Sequence, residues 1–357
     1  MMEKAYLVLE NGRVFEGARI GAGGDGLGEL VFTTGMTGYL ETLTDPSYYG
    51  QIILQTFPLI GNYGVIPEDF EGLSRARGYV VRELCGEPSN FRSEYPLDRF
   101  LKEHGIPGIC GVDTRALTRM LREEGSMNAC ICAQPPEDLS ALTAYRVQGA
   151  VAAVSTYTRE SVPARGEEQR HVALMDYGAK HHIVEALTSR GCRVSILPHD
   201  SSAEDVLALR PDGLMLSNGP GDPADNVYEI DQLKKLIGRL PTFGICLGHQ
   251  LAALAMGGET YKLKYGHRGA NQPVKNLETG RTFISSQNHG YAVRSESLEG
   301  VARLSYVNAN DLSCEGLDYP GRRCFTVQFH PEAHAGPLDN EFLFDRFVAM
   351  MGGKGHA

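Results

Sequence analysis

The sequence predicts two domains of different class: a C-terminal α/β half with an open, mainly parallel sheet and flanking helices, preceded by a strand-rich α+β half. Three observations predict this. From about residue 171 onward, apolar runs of strand length alternate with segments of helical spacing, the order expected of parallel strands joined by crossover helices. Before residue 150, short apolar runs are separated by glycine-rich turns instead. Between them, Arg159 to Arg170 reads Arg-Glu-Ser-Val-Pro-Ala-Arg-Gly-Glu-Glu-Gln-Arg, with no apolar period to bury, and so reads as a linker. The resulting organisation is 1–150, a linker over 151–170, and 171–357.

In the first half, Ala5 to Leu9 and Gly78 to Glu83 read as strands. Gly21 to Gly28 is dense in glycine, but no strand runs directly into a helix around it, so a turn is favoured over a phosphate-binding loop. Gly111 to Arg119 reads as a helix start with Asp113 or Thr114 as its N-cap, or else simply as a structural turn. Cys130 and Cys132 share one face of a probable strand. In the second half, His171 to Tyr177 is a strand and Lys180 to Ser189 a helix with Ile183, Val184 and Leu187 on one face. Arg193 to Leu197 is the next strand, followed by a helix over Ala203 to Leu209, a strand from Gly213 to Ser217 and a helix over Tyr228 to Gly238. Thr242 to Ile245 is a strand that opens into a helix carrying Leu251, Leu254 and Ala255. Glu259 to Val293 and Ala302 to Phe329 are richer in strand, and a last helix lies near Asn340 to Met351.

At 357 residues the chain is long enough for a large core. A net charge of −10 without a Lys/Arg-rich run argues against a nucleic-acid partner. No apolar run approaches the roughly 20 residues needed to span a membrane, and Met1 to Glu10 lacks the pattern of a signal peptide. The eight cysteines include no C-x-x-C pair, so no zinc site is expected, and a reduced, cytoplasmic setting fits them.

Chemistry concentrates at Phe243-Gly244-Ile245-Cys246-Leu247-Gly248-His249-Gln250. A cysteine between two glycines, on a tight strand-to-helix turn, has the pattern of a nucleophile elbow. The glycines let the backbone turn sharply, and the helix N-terminus favours a thiolate and can hold a developing oxyanion. A buried core cysteine is the plainer alternative. A cysteine nucleophile needs a base and a group to orient it. Downstream, Cys324 to Phe329 reads as a strand ending in His330-Pro331-Glu332, where His330 reaches the catalytic edge of the sheet and Glu332 can take its second ring N–H. His289 is a rival base. Gly213 to Ser217 runs into Asn218-Gly219-Pro220-Gly221-Asp222-Pro223, a rigid loop or an ordinary turn.

Gly244 to Gln250 together with His330-Pro331-Glu332 resembles the signature of the class I, triad-type glutamine amidotransferases. The resemblance implies a class I glutamine amidotransferase-like fold, with Cys246 as nucleophile, His330 as base and Glu332 orienting it. It further implies that the N–H groups of Gly219 and Leu247 bind the oxyanion. The rest of the L-glutamine molecule would be held by Gly221, Gln250, Asn288, Gly290 and Tyr291. Tyr291 departs from the family's usual Phe. The first half resembles the small subunits of carbamoyl-phosphate synthases at Gly28 to Tyr39, Leu43 to Tyr48, Pro58 to Gly64 and Gly111 to Arg119, as does Tyr265 to Val274 in the second. That resemblance runs from about residue 5 to about residue 350. It implies a Ser47 contact to glutamine, with the site near the domain junction, and a large-subunit partner that binds ATP and Mg and receives ammonia through an internal tunnel. The whole reaction would make carbamoyl phosphate from bicarbonate for arginine and pyrimidine synthesis. No cofactor or metal is expected in this chain, and the first half is the expected partner interface. An amidotransferase serving another synthetase, a regulatory module without chemistry, and a cysteine hydrolase acting on esters are the rival readings. Against the last, the acid Glu332 follows the histidine closely, whereas α/β-hydrolases place it well before.

Overall fold

A computed structural model of the chain describes residues 3–352. The chain forms two compact units: one runs up to Gln148 and includes Lys264–Gly269, and the other comprises Gly149–Leu263 and the chain from Ala270 onward.

The first unit is built on a closed barrel. Its strands follow one another around the barrel as Lys4–Leu9, Val14–Gly21, Pro107–Cys110, Gly78–Val80, Gln51–Gln55, Gly26–Thr33 and Met127–Cys132, which returns to the first. Closure pairs Leu7 with both Phe15 and Ile131 in antiparallel register. Alternate side chains separate onto two faces, as the pleat requires. Ile52, Leu54, Val80 and Ile109 join one apolar cluster with Leu117 and Leu121 of the helix Thr114–Glu124. Ile53 and Tyr79 join another with Leu97, Phe100 and Leu101 of the helix Leu97–Glu103. Asp113 caps the helix Thr114–Glu124 by accepting the Ala116 N–H at 3.0 Å. The glycine-dense stretch is the turn between the strands ending at Gly21 and starting at Gly26. Cys130 and Cys132 lie together on one face of Met127–Cys132, against Val8 and Leu142.

The second unit is a ten-stranded sheet. Its centre is parallel, in the order Cys192–Pro198, Arg170–Asp176, Gly213–Leu216, Thr242–Ile245 and Cys324–Val327. These strands are buried on both faces, which is why they read as continuous apolar runs. Ala173, Met175, Leu214 and Leu216 pack on Leu233, Leu236, Leu251 and Ala252. Val172, Leu174, Met215 and Phe243 pack on Ile183, Leu187, Phe344 and Phe347. Beyond Cys324–Val327 the sheet continues antiparallel through Cys314–Tyr319 and Arg303–Asn308 to Glu259–Asn276 and Thr282–Arg294.

The stretch read as a linker is more ordered than its composition suggests. Ala150–Val154 is a short helix, and Glu160–Val162 pairs antiparallel with Val194–Ile196. A strand at the sheet edge needs only backbone groups to pair, so polar side chains do not prevent it, and it covers the edge that Cys192–Pro198 would otherwise leave open. Among the described residues, no helix is long and apolar enough to cross a membrane.

Candidate active site

The strand Arg170–Asp176 has the later Gly213–Leu216 on one side and Cys192–Pro198 on the other. Strand order reverses there, and in open α/β sheets ligands bind outside the carboxyl ends of the strands at such a point. The turns that leave these ends carry Lys180, Gly219, Cys246 and His330.

Cys246 occupies the turn between Thr242–Ile245 and the helix Leu247–Ala255 with φ 53° and ψ −104°. A non-glycine residue in that region stores strain of about 1–3 kcal/mol, which persists only where surrounding contacts impose it. Here the Cys246 N–H donates to Val327 O at 2.9 Å, the Gly248 N–H to Ser217 O at 3.0 Å and the Gln250 N–H back to Cys246 O at 3.2 Å. Both flanking glycines are required by close approach. A Cβ on Gly248 would lie 2.5 Å from Leu216 O, and one on Gly244 would lie 3.0 Å from the Gly248 carbonyl. The thiol is 2 % exposed and points to Asn288 O at 3.7 Å.

His330 is fixed by its own N–H, which donates to Ser286 O at 2.9 Å. Its ring Nδ1 lies 2.7 Å from Glu332 Oε1, and its Nε2 is buried without a hydrogen-bond partner. Lys180 Nζ stands 3.4 Å from the same Glu332 oxygen. Burial alone would push the His330 pKa down, and Lys180 adds to that; Glu332 and the Cys246 sulfur outweigh both and hold it up at about 10. Burial would raise Glu332, but His330 and then Lys180 pull it down to about 2. The site therefore stabilises an imidazolium against a fixed carboxylate. Both ring nitrogens of His289 are engaged within its own strand, Nδ1 with Tyr291 O at 2.7 Å and Nε2 with Gln287 Oε1 at 3.2 Å. The His330 ring lies 2.7 Å from a carboxylate oxygen of Glu332, whereas His289 Nε2 lies 3.9 Å from Glu315 Oε1.

Gly219 admits no side chain, since a Cβ would sit 2.2 Å from Tyr177 O and 2.7 Å from Leu247 Cδ2. The loop thus lies against the first residue of the Cys246 helix, whose N–H has no acceptor within the helix. Gly221 has φ 89°. Ser217 Oγ holds the loop by accepting the Tyr177 N–H at 2.9 Å and donating to Asn218 O at 2.8 Å. Gln250 is buried, its Nε2 donating to Tyr291 O and to Gln328 Oε1, each at 2.9 Å. Asn288, Gly290 and Tyr291 follow one another along Thr282–Arg294. Ser47 belongs to the first unit, where it is buried in the turn Pro46–Tyr48 and its N–H donates to Asp45 Oδ1 at 2.8 Å.

Sequence reasoning missed Lys180 and Asn218. Asn218 Oδ1 accepts the Lys180 N–H at 3.1 Å, which ties the first turn of the sheet to the Gly219 loop. The available signal was Asp176-Tyr177-Gly178-Ala179-Lys180, polar residues and a glycine at the carboxyl end of the first parallel strand.

Two family models match the chain. Residues 7–131 match the carbamoyl-phosphate synthase small chain, CPSase domain, and residues 173–350 match glutamine amidotransferase class-I. The chain is 49% identical over 356 residues to the carbamoyl phosphate synthase small chain of Listeria monocytogenes serotype 4b, covering 99% of this chain and 98% of that one. The chain belongs to the carbamoyl phosphate synthase small chain family. The small chain of Fusobacterium nucleatum is 50% identical over 351 residues, covering 97% of this chain and 98% of its own, and that of Bacillus caldolyticus is 48% identical over 354 residues, covering 98% and 96%. The first half therefore distinguishes this amidotransferase from those of other synthetases. The second unit carries the glutamine amidotransferase class-I domain, as the elbow and its histidine suggested.

Proposed function

We propose that this chain hydrolyses L-glutamine to glutamate and ammonia through a thioester on Cys246, and passes the ammonia to a large synthetase chain that makes carbamoyl phosphate from bicarbonate. The observation that carries the proposal is the strained Cys246 elbow in the same unit as a buried His330–Glu332 pair whose Nε2 is left without a partner.

In the first step the Cys246 proton resides on His330 Nε2, and Cys246 Sγ attacks the side-chain amide carbon of glutamine. Glu332 and burial hold the resulting imidazolium in place. The amide oxygen becomes an oxyanion that accepts hydrogen bonds from the N–H groups of Leu247 and Gly219. One such donor is worth roughly 3 kcal/mol in comparable acyl transfers. On collapse the C–N bond breaks, His330 returns its proton to the departing nitrogen, and ammonia leaves a glutamyl thioester. Water then attacks the thioester with His330 as base, which yields glutamate and regenerates the thiol. Gly221, Gln250, Asn288, Gly290 and Tyr291 hold the rest of the substrate; the Ser47 contact rests on the resemblance alone. ATP and Mg belong to the large chain, arginine and pyrimidine synthesis are the pathways served, and the complex works in the cytoplasm.

The test is glutamate release from glutamine by the wild-type chain and by Cys246→Ala, each with and without the large chain. Release that depends on Cys246 and rises with the large chain is expected, with ammonia-driven carbamoyl phosphate synthesis by the complex preserved in the variant. No release even with the large chain would sink the enzymatic reading and favour a regulatory module. Loss of both activities in the variant would make Cys246 structural.

A further inference from the structure

The first unit carries a cleft of about 610 Å³ that the glutamine chemistry does not use, lined by Thr34, Pro58 and Thr118 together with Arg82, Arg115, Arg119 and Arg122. Three of these arginines follow the spacing i, i+4, i+7 on the helix Thr114–Glu124, so they form one stripe along it. The opposite face buries Leu117 and Leu121, which anchors the helix and leaves the stripe outward. Arg82 meets the stripe from the turn after the strand Gly78–Val80.

These four guanidinium groups are exposed, and among the described residues none makes an ion pair with a carboxylate, although the chain as a whole carries a net charge of −10. The one acidic residue of the cleft, Asp113, is committed to the Ala116 N–H as a helix cap. Arg122 lies 6.0 Å from the Tyr265 ring, which orients it without neutralising it. Like charges gathered this way repel one another, in a chain whose 44 Asp and Glu outnumber its 34 Lys and Arg. A pocket built for a small anion would bury polar groups to fix the ligand. Here the cationic groups are all solvent-facing and spread along a helix, the pattern of a surface that meets another protein.

We infer that this arginine-lined cleft docks an acidic segment of the large chain, so that association of the two chains is electrostatically steered through Arg82, Arg115, Arg119 and Arg122. This rests on the proposed function only in taking the large chain as the partner. Arginine suits the role because its planar fork binds carboxylates in pairs and stays charged.

The experiment uses the full chain and the full large chain, with affinity measured over a range of salt concentrations. The variants are Arg119→Glu and the triple Arg115→Ala/Arg119→Ala/Arg122→Ala, with Arg99→Ala as control, since Arg99 is already paired with Glu103 at 2.7 Å on another helix. The triple variant is expected to bind about tenfold or more weakly at low salt, with a flatter salt dependence, while the control matches wild type. Glutamine hydrolysis and the thermal melt of the isolated variants should equal those of the isolated wild type, which shows that both units fold. Unchanged affinity and salt dependence in the triple variant would overturn the inference. So would arginine-dependent binding of inorganic triphosphate to the isolated chain with large-chain affinity intact, which would make the cleft a small-polyanion site. If the wild-type chain itself fails to bind the large chain, the proposed function fails along with this inference, whereas failure confined to the arginine variants leaves that function standing.

Discussion

Gly248→Ala should damage the enzyme out of proportion to its size. The added methyl would lie 2.5 Å from Leu216 O and 2.7 Å from Leu216 Cβ, both parts of the central strand Gly213–Leu216 and unable to swing aside. An ordinary carbon–oxygen contact is about 3.3 Å, so the Cys246 helix must move off the sheet by about 0.8 Å. Two terms then compete. Overpacking of this kind costs about 1–3 kcal/mol, while replacing glycine in a helix returns up to about 1 kcal/mol. The net loss is about 0–3 kcal/mol, which lowers the Tm of a unit of this size by up to roughly 12 °C. The catalytic effect is larger, because the movement displaces Cys246, which immediately precedes the helix, and a misplacement of about 1 Å costs on the order of 10²-fold in rate. The assay is glutamate release at saturating glutamine beside a thermal melt. Gly86→Ala serves as control, since a methyl there meets no atom within 4 Å. A Gly248→Ala enzyme with wild-type kcat and Tm would refute the claim that close packing of this helix on the sheet sets the position of Cys246.

Three further outcomes follow from the same contacts. His330→Asn removes the proposed base and should cost on the order of 10⁴-fold or more in glutamine hydrolysis, whereas Glu332→Gln removes only the partner proposed to orient it and should cost less; equal losses would give Glu332 a larger role than orientation. The stability difference between wild type and Glu332→Gln should depend on pH in a defined window. Glu332 is depressed, so its contribution is present above its unfolded pKa near 4.5 and disappears as pH falls through about 2; His330 is raised, so its contribution is full below its unfolded pKa near 6.5 and fades as pH rises through about 10. Thermal melts should therefore show the widest gap between about pH 4.5 and 6.5, and a gap that grows toward pH 10 would contradict the ion pair. Ser202→Ala should lower stability by about 1 kcal/mol, because Ser202 Oγ accepts the Asp205 N–H at 3.1 Å in a capping box while Asp205 returns the bond to Ser202; an unchanged melt would show that this cap contributes nothing.

The parallel centre of the second unit was legible because each strand is buried on both faces and each crossover helix has its own apolar period. The elbow was legible for a local reason, since Gly244, Cys246 and Gly248 are set by contacts within a few residues and the adjoining strands. The barrel was not. Its closure depends on Leu7 meeting Ile131 across more than a hundred residues, and alternation within a strand does not say which strand it will pair with. The edge strand Glu160–Val162 was hidden because its ladder uses backbone groups that composition does not report. Lys180 was hidden for a different reason. A lone lysine after a strand reads as a solvated charge, and only the fold supplies the buried Glu332 at 3.4 Å that allows it to be 7% exposed.

The most direct test of the central claim is to quench the wild-type chain in acid during turnover of radiolabelled glutamine and locate the label by peptide mapping. A glutamyl thioester is expected on the peptide carrying Cys246, lost on base treatment and absent from Cys246→Ala. Label on another residue, or glutamate formed at full rate with no label bound to Cys246, would contradict this expectation.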